Sequence, residues 1–226
     1  MPDTPSAPPP LDRWPGRTYV PGVMECSIQR ACKGRPREFD VDEALSAALR
    51  VFWTKGYEGA SLTDLTAAMG ITRPSLYAAF GNKESLFRKA LDLYEREKLA
   101  YIGEALKAPT SREVAERLLR GALQMHTSDC EPRGCMRVIS SVSCSPEAES
   151  IREELMVRRR SSQQALCERM RRARDEGDLG PDVDVDGLCN YLGAILQGMS
   201  VQAGSGATKE QLHSLVDTSL AMWPGK

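Results

Sequence analysis

The sequence has few aromatic residues, few runs of β-branched residues and almost no net charge. Phe, Trp and Tyr make up 6% of the 226 residues, and 30 Lys and Arg oppose 31 Asp and Glu, for a formal net charge of −1. The scarcity of β-branched runs leaves little from which to build strands, whereas Ala, Leu, Arg and Glu are abundant and favour helices. The composition therefore predicts an all-α fold.

Cysteine and long apolar stretches are also scarce. Seven cysteines are too few, and odd in number, for a secreted scaffold held together by disulfides. The N-terminus has no apolar stretch of the signal-peptide kind. The longest uncharged stretch, residues 187–208, contains Asn190, Gln197 and Gln202, which are costly in lipid. We therefore expect a cytoplasmic protein with no membrane partner.

Proline is concentrated at one end of the chain. Residues 1–29 hold seven of the fourteen prolines and no periodic apolar pattern. Such a segment cannot bury enough apolar surface to offset its ordering entropy, so we expect a disordered tail. From Asp40 onward, capping residues followed by apolar residues at helical spacing predict about nine helices and no strand.

Two short helices joined by a tight turn are predicted between residues 61 and 80. Ser61 with Asp64 forms a capping box for the first helix. Gly70 then breaks the chain, and Thr72 caps a second helix that has Pro74 in its first turn. This arrangement is a helix-turn-helix, whose second helix enters the major groove with its N-terminal residues against base edges.

The outward face of the second helix predicts direct contact with double-stranded DNA. Arg73 can donate two hydrogen bonds to guanine, and Ser75 can bond a base edge or a phosphate. Tyr77 and Lys83 are placed for phosphate contacts, which position a protein on DNA without specifying sequence. The predicted DNA-binding residues of the motif are Ser61, Thr63, Thr72, Arg73, Pro74, Ser75, Tyr77, Ala78 and Lys83.

A basic stretch precedes this motif. Lys33, Arg35 and Arg37 alternate with Gly and Pro, and residues 1–37 carry six Lys and Arg against three Asp and Glu. An unstructured arginine arm can follow the minor groove, and its contribution depends on local charge rather than on the net charge. A basic tail alone would be a solubilising feature. Its position just before a helix-turn-helix favours DNA binding by these three residues.

Residues 56–86 resemble the N-terminal domain of the TetR family of transcriptional regulators. The matching residues are Gly56, Tyr57, Ala60, Ser61, Leu62, Leu65, Met69, Gly70, Ile71, Thr72, Ser75, Leu76, Tyr77, Phe80, Lys83 and Leu86. The resemblance implies a three-helix DNA-binding domain joined by a long fourth helix to an all-α domain that binds a ligand and dimerises. It also implies DNA contact by Thr72, Arg73, Pro74, Ser75, Tyr77 and Lys83, in a protein that is usually a repressor released by a small effector.

The domain organisation follows from these patterns. We expect a disordered tail at residues 1–29, a basic arm with the DNA-binding domain at 30–85, and a ligand-binding and dimerisation domain at 86–226. The last two predicted helices carry long apolar stripes, which suit either a monomer core or a four-helix interface of a homodimer. We favour the homodimer, whose two-fold axis predicts a palindromic operator.

The resemblance places an effector pocket among the middle helices of the second domain, although the identity of the effector does not follow from it. The candidate lining residues are Leu119, Leu123, Met125, His126, Met136, Ile139, Tyr191 and Ile195. Each of them also suits an ordinary core position, because apolar residues at helical spacing usually pack against one another. An architectural DNA binder with no effector is the alternative. No cofactor is expected.

Three cysteines near His126 suggest a different kind of regulation. Cys130, Cys135 and Cys144 suit a thiol switch for oxidants or electrophiles, or a soft-metal site, although their spacing matches no common zinc module. A free cysteine is also often a small buried apolar residue. A Cys–His thiol enzyme using His126 is a remote alternative. The sequence has no G-x-S-x-G, phosphate-binding loop or H-E-x-x-H motif, so we expect no enzyme and no metal site.

Arginines are dense between residues 158 and 174. They are interleaved with Asp and Glu, a pattern that predicts a solvated helix face held by salt bridges. The arginines are Arg158, Arg159, Arg160, Arg169, Arg171, Arg172 and Arg174.

Overall fold

The computed structural model describes residues 39–142 and 148–225, and in these ranges it contains ten helices and no strand. The all-α prediction is therefore confirmed. The helices are α1 (Val41–Gly59), α2 (Leu62–Met69), α3 (Arg73–Phe80), α4 (Lys83–Lys98), α5 (Ala100–Ala105), α6 (Ser111–His126), α7 (Met136–Val142), α8 (Glu149–Asp175), α9 (Val185–Gly204) and α10 (Lys209–Ala221). The predicted tail at 1–29 and the arm residues Lys33, Arg35 and Arg37 lie outside the described residues.

Side-chain caps set the ends of the N-terminal helices. The Asp40 carboxylate accepts the amides of Asp42 and Glu43 at the start of α1. Ser61 forms a reciprocal capping box at α2, as the sequence predicts. Gly70 ends α2 with a φ of 64°, a left-handed conformation in which a side chain would be strained. These local bonds satisfy helix-end amides without help from distant parts of the chain.

The apolar spacing that begins in α4 continues to residue 106, but it spans two helices rather than one. Leu99 has φ −106° and ψ 4°, which ends α4 and allows α5 to begin in a new direction. Leu99 itself is buried. The apolar periodicity of the sequence continues across Leu99, so the hydrophobic pattern alone does not reveal the interruption.

The buried apolar residues form two clusters. The first joins α1 to α4, with Trp53, Phe52 and Phe87 fully or almost fully buried, and also includes Met136 of α7 and Ile151 of α8. The second cluster joins α5 and α6 to the C-terminal half of α8 and to α9 and α10. Burying a large apolar side chain contributes about 1.5–3 kcal/mol. The N-terminal helices are thus stabilised partly by residues that follow much later in the chain.

Arg169 departs from the predicted solvated face of α8. Its side chain is buried, and its Nη2 atom donates to the backbone oxygens of Ala108 and Pro109. The guanidinium thereby holds the connection between α5 and α6. The prediction is wrong at this position because the end of α8 packs against that connection instead of facing solvent.

The described helices include none that combines the length and apolarity required to cross a lipid bilayer.

Candidate nucleic-acid interface and adjoining cavity

The second helix of the helix-turn-helix is α3, which buries one side and exposes the other. Leu76 and Phe80 enter the first apolar cluster. The opposite side carries most of the predicted DNA-binding residues. Ser61, Thr63, Thr72, Arg73, Pro74, Tyr77 and Ala78 are exposed, and Ser75 and Lys83 are half-buried. All nine are therefore at least partly accessible on α2, α3, their caps and the start of α4.

Arg73 has a defined position on this surface. Its Nη2 atom donates a 2.9 Å hydrogen bond to the Thr63 hydroxyl of α2. A guanidinium has five N–H donors, so this single bond leaves most of them available to a base or a phosphate. Thr72 caps α3 by accepting the Ser75 amide, and the two hydroxyls lie 2.9 Å apart.

Tyr77 and Lys83 flank α3 on this side. Tyr77 is one of the few large apolar side chains that are extensively exposed, at 48%. The Lys83 ammonium lies 4.5 Å from the centre of the Tyr57 ring, a cation–π distance. Burial lowers the pKa of Lys83 from its ordinary value of 10.5. Tyr77 lies in α3 and Lys83 begins α4. Phosphate contact by these two side chains stays a prediction.

A cavity of about 190 Å³ lies among α5, α6, α7, α8 and α9. Most of its wall is aliphatic, with Ile102, Leu118 and Leu196 as examples. The polar part of the wall includes His126, Cys135, Arg137, Arg159, Gln163 and Gln197. An apolar enclosure with a few converging polar groups is typical of a small-molecule site.

Two of the eight predicted pocket residues, Met125 and His126, line this cavity. The other six do not: Leu119, Leu123, Met136, Ile139, Tyr191 and Ile195. On α6 the cavity is lined by Leu118 and Ala122, whereas Leu119 does not line it, although all three belong to the second cluster. Choosing between adjacent stripes of one helix requires the positions of the partner helices, which the sequence does not contain.

His126 is the most deeply buried polar group of the cavity wall. Its side chain is 2% exposed, and Nδ1 has no hydrogen-bond partner in the described part of the chain. Burial lowers the pKa of His126 to about 4, although a hydrogen bond with the Gly134 backbone opposes the shift. The imidazole is therefore neutral near pH 7.

The predicted cysteine group is only partly brought together. Cys135 lines the cavity, and its Sγ atom accepts a 3.3 Å hydrogen bond from the Tyr94 hydroxyl. Cys130 is exposed and does not line it. Cys144 lies outside the described residues. Within 39–142 and 148–225, no three His, Cys, Asp or Glu side chains are grouped as a metal site requires.

Ion pairs connect the cavity wall with the start of α4. Arg158 bonds Glu95 at 2.7 Å and Asp92 and Glu154 at 2.6 Å each. Glu154 in turn bonds Arg88, which bonds Glu84 in the first turn of α4. We call this set the α4–α8 network; with Arg137, which lies 3.5 Å from Glu95, it reaches the cavity. Its members are Glu84, Arg88, Asp92, Glu95, Arg137, Glu154 and Arg158.

Two carboxylates of this network, those of Glu84 and Glu154, are held in the charged form. Burial alone would raise the pKa of Glu154, but hydrogen bonds from Arg158 and Arg88 outweigh burial and lower it. For Glu84, the Ser150 hydroxyl and Arg88 likewise lower the pKa. The sequence indicates the charges on α8 but not their partners, because α4 and α8 are far apart in the chain.

A second connection joins the loop before α7 to α1. The Trp53 indole nitrogen donates to the Gly134 oxygen at 2.8 Å, and Arg50 Nη2 donates to the Cys130 oxygen at 2.8 Å. The same loop places Cys135, whose amide donates to the Ser200 hydroxyl of α9. A displacement of this loop would therefore disturb its hydrogen bonds with α1, a helix of the DNA-binding region.

Comparison with known proteins gives two family matches along the chain. Residues 44–90 match the family described as bacterial regulatory proteins, tetR family, and residues 115–218 match the tetracyclin repressor-like C-terminal domain. The chain belongs to the TetR family. The prediction of a DNA-binding transcriptional regulator with an N-terminal helix-turn-helix is thus confirmed, and its relatives are regulators rather than enzymes.

Several relatives of this TetR-family chain match most of its length. The transcriptional repressor ComR of Escherichia coli is 38% identical over 199 residues, covering 85% of this chain and 92% of ComR. An uncharacterised regulator of Bacillus subtilis, YezE, is 31% identical and covers 84% and 98%. A solved structure of a cysteine mutant of the TetR regulator CifR with 26 bp operator DNA has a TM-score of 0.80 and 46% identity, covering 84% of this chain and all of that one.

Proposed function

We propose that this TetR-family chain is a cytoplasmic repressor that binds a palindromic operator as a homodimer and is released when a small molecule fills the cavity. One observation carries the proposal: a largely apolar cavity whose wall is connected to α4, at the edge of the DNA-binding surface, through the α4–α8 network. A ligand that favours a different arrangement of the wall shifts the operator-binding equilibrium by its difference in affinity for the two arrangements.

The proposed DNA contacts are those named from the sequence. Arg73 reads a base, with Thr63 orienting its guanidinium, while Tyr77 and Lys83 bind phosphates. Lys33, Arg35 and Arg37 form the minor-groove arm. The operator complex of CifR, which is 46% identical, supports binding of this surface to double-stranded DNA. The proposed division is an arm and DNA-binding domain at 30–85 and an effector and dimerisation domain at 86–226.

In-vitro selection of bound DNA from a random duplex library tests the DNA-binding half of this proposal. We expect full-length protein to enrich one palindrome, because a two-fold dimer presents two identical recognition helices. The arm variant with Lys33, Arg35 and Arg37 replaced by Gln should retain the palindrome but bind it with a salt dependence reduced by about 2.7 in slope. Enrichment of no sequence, by folded protein at moderate salt, would contradict sequence-specific recognition.

A thiol-sensing regulator is a second candidate because Cys135 lies in the cavity wall. The Tyr94 hydrogen bond to Sγ and the position of Cys135 beside the Gly134–Trp53 contact give a modified thiol a path to α1. To test this idea, operator binding by the wild type and by Cys135→Ser is measured before and after treatment with an oxidant. The same comparison is made in the presence of Cu(I). Cys130→Ser is the matched control, since Cys130 is exposed outside the cavity. An identical response in the wild type and Cys135→Ser would remove Cys135 as the sensor; Cys144→Ser tests the remaining thiol of the predicted group.

A further inference from the structure

The charge of the cavity wall restricts what the cavity can bind. Among the described residues that line it, Arg137 and Arg159 carry positive charge, and no Asp or Glu is present. His126 is neutral near pH 7 because burial lowers its pKa to about 4. The wall is therefore cationic on one side and aliphatic on the rest, which favours a molecule with one anionic group and an apolar body.

Both guanidiniums have unused hydrogen-bond donors. Arg137 has a side chain only 15% exposed, yet its two contacts are long: 3.5 Å to Glu95 and 3.4 Å to the Ser162 hydroxyl. Glu95 is meanwhile held more closely by Arg158, at 2.7 Å. Arg159 makes no hydrogen bond or ion pair within the described part of the chain. Arg159 is exposed, so its free donors are available to a ligand at the mouth of the cavity. Because Arg137 is partly buried and its contacts are long, a carboxylate at about 2.8 Å would stabilise it more strongly than it would an exposed guanidinium.

The volume sets the size of the apolar body. An aliphatic cavity of about 150 Å³ in a protein core is known to take up benzene. The cavity here measures about 190 Å³, which accommodates a ring of that size with a short substituent.

We propose that the cavity binds a small organic monocarboxylate whose apolar body is about the size of a benzene ring, with its carboxylate bound by Arg137 and Arg159. This inference deepens the effector role proposed above and rests on it. The bound carboxylate becomes the close partner of Arg137 and displaces its long contact with Glu95. Glu95 then remains with Arg158 alone, so binding alters the α4–α8 network at its cavity end.

The test is calorimetric titration of the full-length protein with three acids and their amides. The acids are acetate, hexanoate and phenylacetate, and each is paired with its primary amide, which has nearly the same shape but no charge. We expect hexanoate or phenylacetate to bind at least about tenfold more tightly than its amide, because only the acid forms charge-assisted hydrogen bonds. Acetate should not bind detectably, because it has no apolar body to bury.

Neighbouring arginines of α8 supply the matched control. Arg159→Gln should weaken binding of the acid at least fivefold and leave the amide within twofold, while Arg160→Gln, exposed and outside the cavity wall, should change neither. Arg137→Gln should behave as Arg159→Gln does, and the melting temperature without ligand checks that it is folded.

The outcomes separate the ligand class from the effector role. The carboxylate assignment would be overturned if the amides bind as tightly as their acids, or if neither hexanoate nor phenylacetate binds. In the first case the cavity is still a ligand site of different chemistry. Tight binding of an acid with no change in operator affinity would uphold the ligand class and contradict the effector role.

Discussion

The DNA-facing surface and the cavity are built in opposite ways. In the described chain, the predicted DNA-binding residues all lie between residues 61 and 83, where capping side chains fix each helix start locally. The cavity wall draws on residues from 99 to 197, spread over five helices. A local surface depends on neighbours in sequence, whereas an enclosed space depends on how distant helices pack. The first can be inferred from a sequence, and the second is defined only by the folded chain.

The two regions also differ in how they use charge. Arg73 is exposed and donates one hydrogen bond to the uncharged Thr63 hydroxyl, so its charge remains available to DNA. Arg158, in contrast, is surrounded by three carboxylates that neutralise it within the protein. In the function proposed above, charge on the DNA-facing surface serves recognition, whereas charge beside the cavity joins α4 to α8.

The largest expected effect is on the DNA-facing surface. Arg73→Ala should weaken operator binding by about 1–3 kcal/mol and relax preference at one base position, because a bidentate contact with guanine is lost. Fluorescence anisotropy with the selected operator and with single-base variants measures both. Since Arg73 is exposed, the melting temperature should not change.

Two further variants sharpen this result. Arg172→Ala removes an equally exposed arginine far along α8 and should leave operator affinity unchanged. Thr63→Val keeps Arg73 but removes its hydrogen-bond acceptor, and should give a smaller loss than Arg73→Ala. An equal loss by Arg73→Ala on every DNA sequence would make Arg73 a phosphate contact instead of a base reader.

The burial of His126 in the cavity wall should make the stability of the protein depend on pH. Because burial lowers the pKa of His126 to about 4, the unfolded chain takes up a proton near pH 6.5 that the folded chain does not. The stabilisation is complete above about pH 6.5 and is lost as the pH falls towards 4, so the free energy of unfolding should drop by about 2 kcal/mol between pH 7 and 5. Denaturant unfolding at the two pH values measures it.

His126→Gln should remove most of that drop. His213 is the control, because it is exposed on α10 beside Asp217, and His213→Gln should leave the drop in place. A wild-type pH dependence that survives in His126→Gln would mean that another group is responsible.

A smaller effect is expected from the helix caps, and it should be equal at α2 of the DNA-facing surface and at α10 of the second apolar cluster. Ser61→Ala at α2 and Thr208→Ala at α10 each remove one half of a capping box and should each cost about 1 kcal/mol of stability. Only Ser61→Ala should also weaken operator binding, because α2 supports Arg73 through Thr63. Thermal unfolding and anisotropy on both variants check the comparison, and a loss of operator binding in Thr208→Ala would contradict it.

The smallest effect is expected for an exposed ion pair on the arginine-rich face. Arg171 and Asp186 approach to 2.6 Å, but both side chains are largely exposed. Solvent and salt screen such pairs, so Arg171→Ala should change the free energy of unfolding by less than about 0.5 kcal/mol.

The sequence predicted what is encoded locally. The caps at Asp40, Ser61 and Thr72 and the glycine turn at Gly70 are where the pattern places them, since each depends on a hydrogen bond within three residues or on a single backbone angle. The break at Leu99 escaped prediction because apolar periodicity is the same on both sides of it.

The cavity was predicted only in part for a related reason. Periodicity shows that α6 has apolar stripes but not which stripe faces a space and which faces another helix, so Leu119 was chosen where Leu118 lines the wall. Arg137 had a signal, because it lies between the apolar residues Met136 and Val138, whereas Arg159 had none, because it belongs to the arginine-rich stretch for which a solvated face was predicted. Only the packing of α7 and α8 in the folded chain brings both arginines into one cavity wall.

The central claim is that occupation of the cavity changes operator binding. The most direct measurement is the operator affinity of the full-length protein titrated with a molecule shown by thermal shift to bind it, alongside Ala122→Leu, whose added side chain fills the cavity. The account predicts that the ligand weakens operator binding of the wild type at least about tenfold and leaves Ala122→Leu unaffected. A ligand that binds in the cavity while operator affinity stays the same would contradict it and favour a DNA-binding protein without an effector.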